Sequence, residues 1–295
     1  MSTDALAGVA PAEHHRLAGK LGPTAIVFMV AAAAPLTVVA GTFPIGIAAG
    51  NGAAFPASYG VCTAVLLLFA VGFTAMARHI RGAGAFYTYI AHGFGRHIGL
   101  GAAFLALLSY TAVQGGVYGY IGATLGELVS SHGGPAVPWY GYAFVMMAIT
   151  GFLGYRHIEL SGKVLGVLLV CEVGIVLVIN VAVIARGGAG GLSTAVLHPA
   201  NFFSGAPGIA LIFALAGYIG FEATAVFRDE ARDPARTIPR ATYVALLVIG
   251  GFYALSSWAL VTAWGDAGSV TEATNNPATM LTETHEHPTV LREQV

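Results

Sequence analysis

The chain has 295 residues, of which 56% are hydrophobic and only 9% charged, against roughly a quarter charged in ordinary soluble domains. That balance excludes an ordinary soluble domain, which would lack the polar surface to cover itself. The formal net charge of −1 carries no information about partners, because the charges are segregated along the chain.

Residues 1–23 read as a small, polar, His-containing tail with no apolar core of a signal peptide. Seven apolar stretches follow, at 24–49, 57–77, 99–129, 138–155, 160–185, 207–228 and 241–264. A span needs about 20 apolar residues to cross the hydrocarbon. Long uncharged runs of this kind predict helices, since spanning strands would alternate polar and apolar positions. The expected fold is therefore all-α and integral to the membrane, with a seven-span domain over 24–264. Residues 265–295 are polar and rich in Thr, Glu and His, and read as a tail without a further span.

The basic residues test this count. With the N-terminus cytoplasmic, the inner segments hold Arg16, Lys20, Arg78, Arg81, Arg96, Arg156, Lys163, Arg228, Arg232, Arg236 and Arg240, eleven of the 13 Lys and Arg. Only Arg186 falls in an outer loop, and Arg292 lies in the tail. The excess of Lys and Arg on one side predicts both the number of spans and their direction. It also disfavours a seven-helix receptor, whose N-terminus lies outside.

Two spans carry breakers. The first reads TAIVFMVAAAAPLTVVAGTFPIGIAAG, with Pro35 near its middle. Proline removes a backbone donor and crowds the preceding turn, so a break or kink is expected near Ala34–Thr37. The sixth reads GIALIFALAGYIGFEATAVF, where Gly217 and Gly220 flank Tyr218 and Glu222 follows. Unpaired backbone at mid-membrane is tolerated only against protein or a wet cavity. Two broken helices five spans apart are the pattern of inverted-repeat transporters, whose half-helix ends hold the substrate. Alternatively, Pro35 merely kinks an uninterrupted helix.

Ionisable groups inside a membrane are costly and mark function by default. Two stand mid-span, Glu172 in LLVCEVGIV and Glu222 after the sixth-span glycines. Each is a candidate for proton coupling, or alternatively a neutral hydrogen-bonded packing residue. Tyr110, Gln114 and Tyr118 recur every four residues on the third span and are expected to share one interior face. Gly115, Gly119, Gly122 and Gly126 read as a helix-packing stripe. The loop from Arg228 to Arg240 reads as a solvated loop or an ion-pair network. Cys62 and Cys171 sit in apolar runs and form no disulfide or metal pattern. No cofactor, metal site or nucleic-acid partner is expected.

Four stretches resemble the amino acid–polyamine–organocation (APC) superfamily of permeases. They are AAAAPLTVVAG in the first span, RHIRGAGAFYTYIAHGFGRHIG at 78–99, HIELSGKVLGVLLVCE at 157–172, and YIGFEATAVFRDEARDPARTIPRA at 218–241. The last is the most specific, with a GFE motif, an acidic pair and P-x-R-x-I-P-R-A. The resemblance covers about 20–264. It implies two five-helix inverted repeats, with this chain supplying the first repeat and two helices of the second. It also implies a substrate, an amino acid or small amine, between the first and sixth spans. The residues expected to line it are Ala33, Ala34, Pro35, Leu36, Thr37, Gln114, Tyr118, Ala216, Gly217, Tyr218 and Ile219. The resemblance further implies uptake driven by protons, by exchange or, as in some relatives, by sodium, with Glu222 as the family's GFE glutamate and Glu172 and Glu222 as the candidates if protons are the coupling ion. A chain ending after the seventh span reads as incomplete, and a non-transporting remnant and a channel stand as alternatives.

Overall fold

In the computed structural model, residues 22–31, 35–80, 85–135, 137–156, 158–227 and 231–285 are described. The architecture is helical. α1 (Pro23–Ala31) precedes a helical run that opens with α2 (Pro35–Thr37). This run continues through a π-helical stretch into α3 (Phe43–Gly46) and a second π-helical stretch ending at Asn51. Helical geometry fails at Gly50 (φ −99°, ψ −120°) and at Gly52 (φ 61°), and the chain turns there into α4 (Phe55–His79). Phe43 then lies edge-on to both Phe55 and Tyr59, with ring centroids 6.0 and 5.5 Å apart, so aromatic rings link the two arms across the turn.

α5 (Ala85–Phe94) leads into α6 (Arg96–Ser131), and α7 (Trp139–Arg156) and α8 (Ile158–Arg186) follow. α6 is 36 residues long. At 1.5 Å per residue it extends roughly 54 Å, well beyond the hydrocarbon thickness. A short α9 (Pro199–Phe202) and α10 (Pro207–Ala216) come next, then α11 (Ala223–Val226), the 31-residue α12 (Pro234–Trp264) and α13 (Asp266–Asn275).

Burial divides these helices into two classes. α12 packs along α4 and touches α1 and α8, while α10 also lies against α4. α5, α6 and α7 pack mainly on one another. Over its most apolar window α12 is 56% buried, whereas α6 is 6% buried. Leu105, Leu107 and Leu108 on α6 are about two-thirds exposed. In water such a face would be an aggregation site; against lipid tails it costs nothing. Four helical segments among the described residues are long and apolar enough to cross a bilayer: the run Pro35–Ala77, α6, Gly166–Arg186 within α8, and α12.

The connections before α4, after α8 and after α12 gather at one end of the bundle. Ala206 donates its N–H to Gly50 O, Ser193 its hydroxyl to Asp266 Oδ1 at 2.6 Å, and Ala189 its N–H to Thr262 O. The segment read as a polar tail is partly folded onto this end. Trp264 Nε1 donates to Met280 O at 3.1 Å, and Met280 is fully buried. The sequence signal for this was weak, because a short docking helix needs only an apolar residue or two.

Candidate functional site

The break expected at Gly217–Gly220 is present. α10 stops at Ala216, turns run from Gly217 to Glu222, and α11 starts at Ala223. The stop follows from Gly220, whose φ of 101° is favourable only without a Cβ. Gly217 is buried against Tyr59 and Tyr253, and a Cβ there would lie 3.1–3.2 Å from both rings. At the first span, α1 ends at Ala31 and the next described helical residue is Pro35. Ala33 and Ala34 lie outside the described residues.

A carboxyl group meets the Gly217–Glu222 turn, and another meets the start of α2. Glu222 is 8% exposed. Its Oε2 accepts from the Gly220 N–H at 3.1 Å, and its Oε1 accepts a hydrogen bond from the Tyr110 hydroxyl on α6. The turn thus folds back on its own glutamate, and α6 holds that glutamate in place. Glu172, on α8, offers Oε2 to the Leu36 N–H at 3.4 Å, a long bond at the start of α2. Pro35 is buried and has no N–H, so Leu36 supplies the first donor of that helical run.

Tyr218 does not hang free in the break. It is 2% exposed, its hydroxyl lies 2.5 Å from Thr63 Oγ1, and it donates to Tyr59 O at 3.1 Å. One edge of Tyr218 borders a cavity of about 460 Å³, which Ser109, Tyr110, Ile219, Phe221 and Glu222 also line. A second cavity of about 510 Å³ follows α8 from Arg186 to Leu36. Ala216, Leu36 and Thr37 are half-buried and Ile219 is 48% exposed.

The face predicted on the third span divides. Tyr110 reaches Glu222, Gln114 is exposed, and Tyr118 pairs with Thr150 on α7 at 2.6 Å. A four-residue repeat advances 400° per step, so positions eight apart diverge by roughly 80° around the axis. Tyr110 and Tyr118 therefore serve different neighbours. In the loop before α12, Arg228, Asp229 and Glu230 lie outside the described residues. Asp233 and Arg236 are 3.9 Å apart and both exposed, a pair of little energetic weight. Cys62 is buried near Leu211 O, while Cys171 is exposed on α8.

Sequence reasoning passed over the polar residues that tie the break to its surroundings. Thr63 and Tyr59 hold Tyr218, Thr224 pairs with Thr242 at 2.8 Å, and Asn180 donates to Ser256 at 2.9 Å between α8 and α12. Asn180 had a legible signal, a lone amide in an apolar run. A threonine hydroxyl gives none, since it can return to its own helix.

The profile of the amino acid permease family matches residues 21–292. The chain belongs to this family of transporters for amino acids or related compounds. The match runs through the broken helices and past α12 into the segment that packs on the bundle end. No curated protein matches the chain.

Proposed function

We propose that the chain is a seven-span secondary active transporter that binds an amino acid or related small amine between its first and sixth spans. The observation that carries this reading is the sixth-span turn at Gly217–Glu222, held by Tyr110 from the third span. Backbone opened at that depth is stable only where it lines protein or a wet cavity, and this turn lies against protein, with Tyr218 and Glu222 buried. A break in the first span and one in the sixth, five spans apart, support two repeats of opposite topology, the second represented by two helices.

Orientation follows from charge. The bundle end that gathers Gly50, Ser193 and Asp266 holds Arg186 as its described basic side chain next to the spans, while Arg96, Arg232, Arg236 and Arg240 lie toward the other end. The second end is therefore cytoplasmic, the N-terminus with it, and the membrane is the cell's inner one. Uptake is coupled to protons through Glu172 and Glu222, the acids placed at the two breaks.

Reconstituted vesicles test the proposal. With an imposed pH gradient, radiolabelled leucine or isoamylamine should accumulate above a control collapsed with an ionophore. No gradient-dependent uptake of either compound sinks the transport reading. Under the same gradient, unchanged accumulation in Glu172→Gln removes that residue from the coupling.

A further inference from the structure

We infer that an anionic phospholipid binds along α8, with one acyl chain in the groove between α8 and the end of α12 and its phosphate on Arg186. The site lies apart from the Gly217–Glu222 turn and does not depend on the transport reading.

The cavity of about 510 Å³ along α8 sorts its lining by chemistry. Ile175, Val178, Ala182 and Val183 make one aliphatic wall, with Leu281 contributing from the folded segment after α12. Leu36 closes the far end, one turn beyond Ile175, because its N–H reaches Glu172. The polar side chains, Arg186, Thr282 and Thr284, belong to the bundle end where Ala189 donates to Thr262 O. An apolar cavity of this kind offers water too few partners and takes apolar ligands.

Length selects the occupant. From Ile175 to Arg186, the last residue of α8, the groove follows roughly 16 Å of helix. That is about half of the hydrocarbon thickness, one leaflet. A spanning helix from a second copy would need the whole thickness. An acyl chain needs one leaflet, with its headgroup at the interface where Arg186 stands.

Donors select the headgroup. The hydroxyls of Thr282 and Thr284 already donate to Thr279 O and Leu281 O. Arg186 is exposed, and no ion pair engages it among the described residues. Its guanidinium stays charged and presents N–H donors in a fork that matches phosphate oxygens. A free amino acid could meet Arg186 with its carboxylate but would leave most of the aliphatic wall empty. A phospholipid fills both parts.

Native mass spectrometry of the purified intact chain in detergent tests this. The probes are phosphatidylglycerol and the phosphatidylcholine with the same acyl chains. Phosphatidylglycerol should bind tighter by about fivefold, the scale of one basic residue at a lipid surface. Arg186→Gln should erase that preference without lowering the melting temperature. Ala182→Trp should fill the groove and weaken both lipids; the exposed Arg186 variant remains informative if this one does not fold. A phosphatidylglycerol carrying a diazirine near its acyl end should label the peptide that holds Ile175–Arg186. Equal binding of the two lipids, a preference that survives Arg186→Gln, or labelling confined to other helices overturns the inference. Displacement of the lipid by glycerol phosphate would reveal a site for soluble phosphates, and a dimer that Ala182→Trp disperses would reveal a second copy in the groove. Either result also overturns it.

Discussion

Glu222 shows how one side chain serves two purposes. Its carboxyl closes the sixth-span turn through the Gly220 N–H and anchors that turn to the third span through Tyr110. Tyr110→Phe removes the second contact and leaves a buried oxygen underserved. The expected loss is about 1–3 kcal/mol, read as a lower melting temperature in detergent. Uptake should fall with it, because the turn loses its outer support. Asn180→Ala breaks the amide bond to Ser256 between α8 and α12. Membrane hydrogen bonds of this type are worth about 0.6–2 kcal/mol, so this variant should melt slightly earlier and keep its substrate preference. The candidate residues were partly legible. A lone acid in an apolar run announces itself by its cost, which is how Glu172 and Glu222 stood out. The partners Thr63, Tyr59 and Thr242 did not, because nothing in one chain segment tells which distant helix will meet it.

Two glycines shape the turn between α10 and α11 and its surroundings, for different reasons. Gly220 carries a positive φ, which a Cβ disfavours. Gly220→Ala should cost about 1–2 kcal/mol, or convert the turn toward continuous helix. In either case substrate affinity falls, and binding measured with isoamylamine and leucine checks it. Gly250, on α12, is a matter of space. A Cβ there would run into Thr63 Oγ1 and stand 2.7 Å from the Tyr218 hydroxyl. Gly250→Ala should therefore push α12 from α4 and destabilise by about 1–3 kcal/mol, measured by thermal unfolding. The Gly-Tyr-Ile-Gly sequence predicted a break. That Tyr218 would be pinned to α4 and not left across the opening depended on how α4, α10 and α12 come together.

Across the molecule, lipid replaces water as the solvent, and this explains why the burial pattern looks inverted. α6 carries exposed leucines along its length while α12 buries serines and threonines such as Ser256, Ser257 and Thr262. Polar groups gain partners inside the bundle, and apolar ones lose nothing outside it. The proposed orientation can be read by chemical labelling. In a Cys171→Ala background, Ser193→Cys should react with a membrane-impermeant maleimide on intact cells, and Arg232→Cys only after permeabilisation. The reverse result overturns the direction. Membrane insertion, helical class, the span candidates and the two acids follow from composition and local pattern, because hydropathy and helix breaking are properties of short segments. The pairing of Tyr110 with Glu222, the cap of Glu172 on Leu36 and the docking of Met280 beneath Trp264 do not. They join residues from 16 to 136 positions apart, and such contacts exist only after packing selects which helix faces meet.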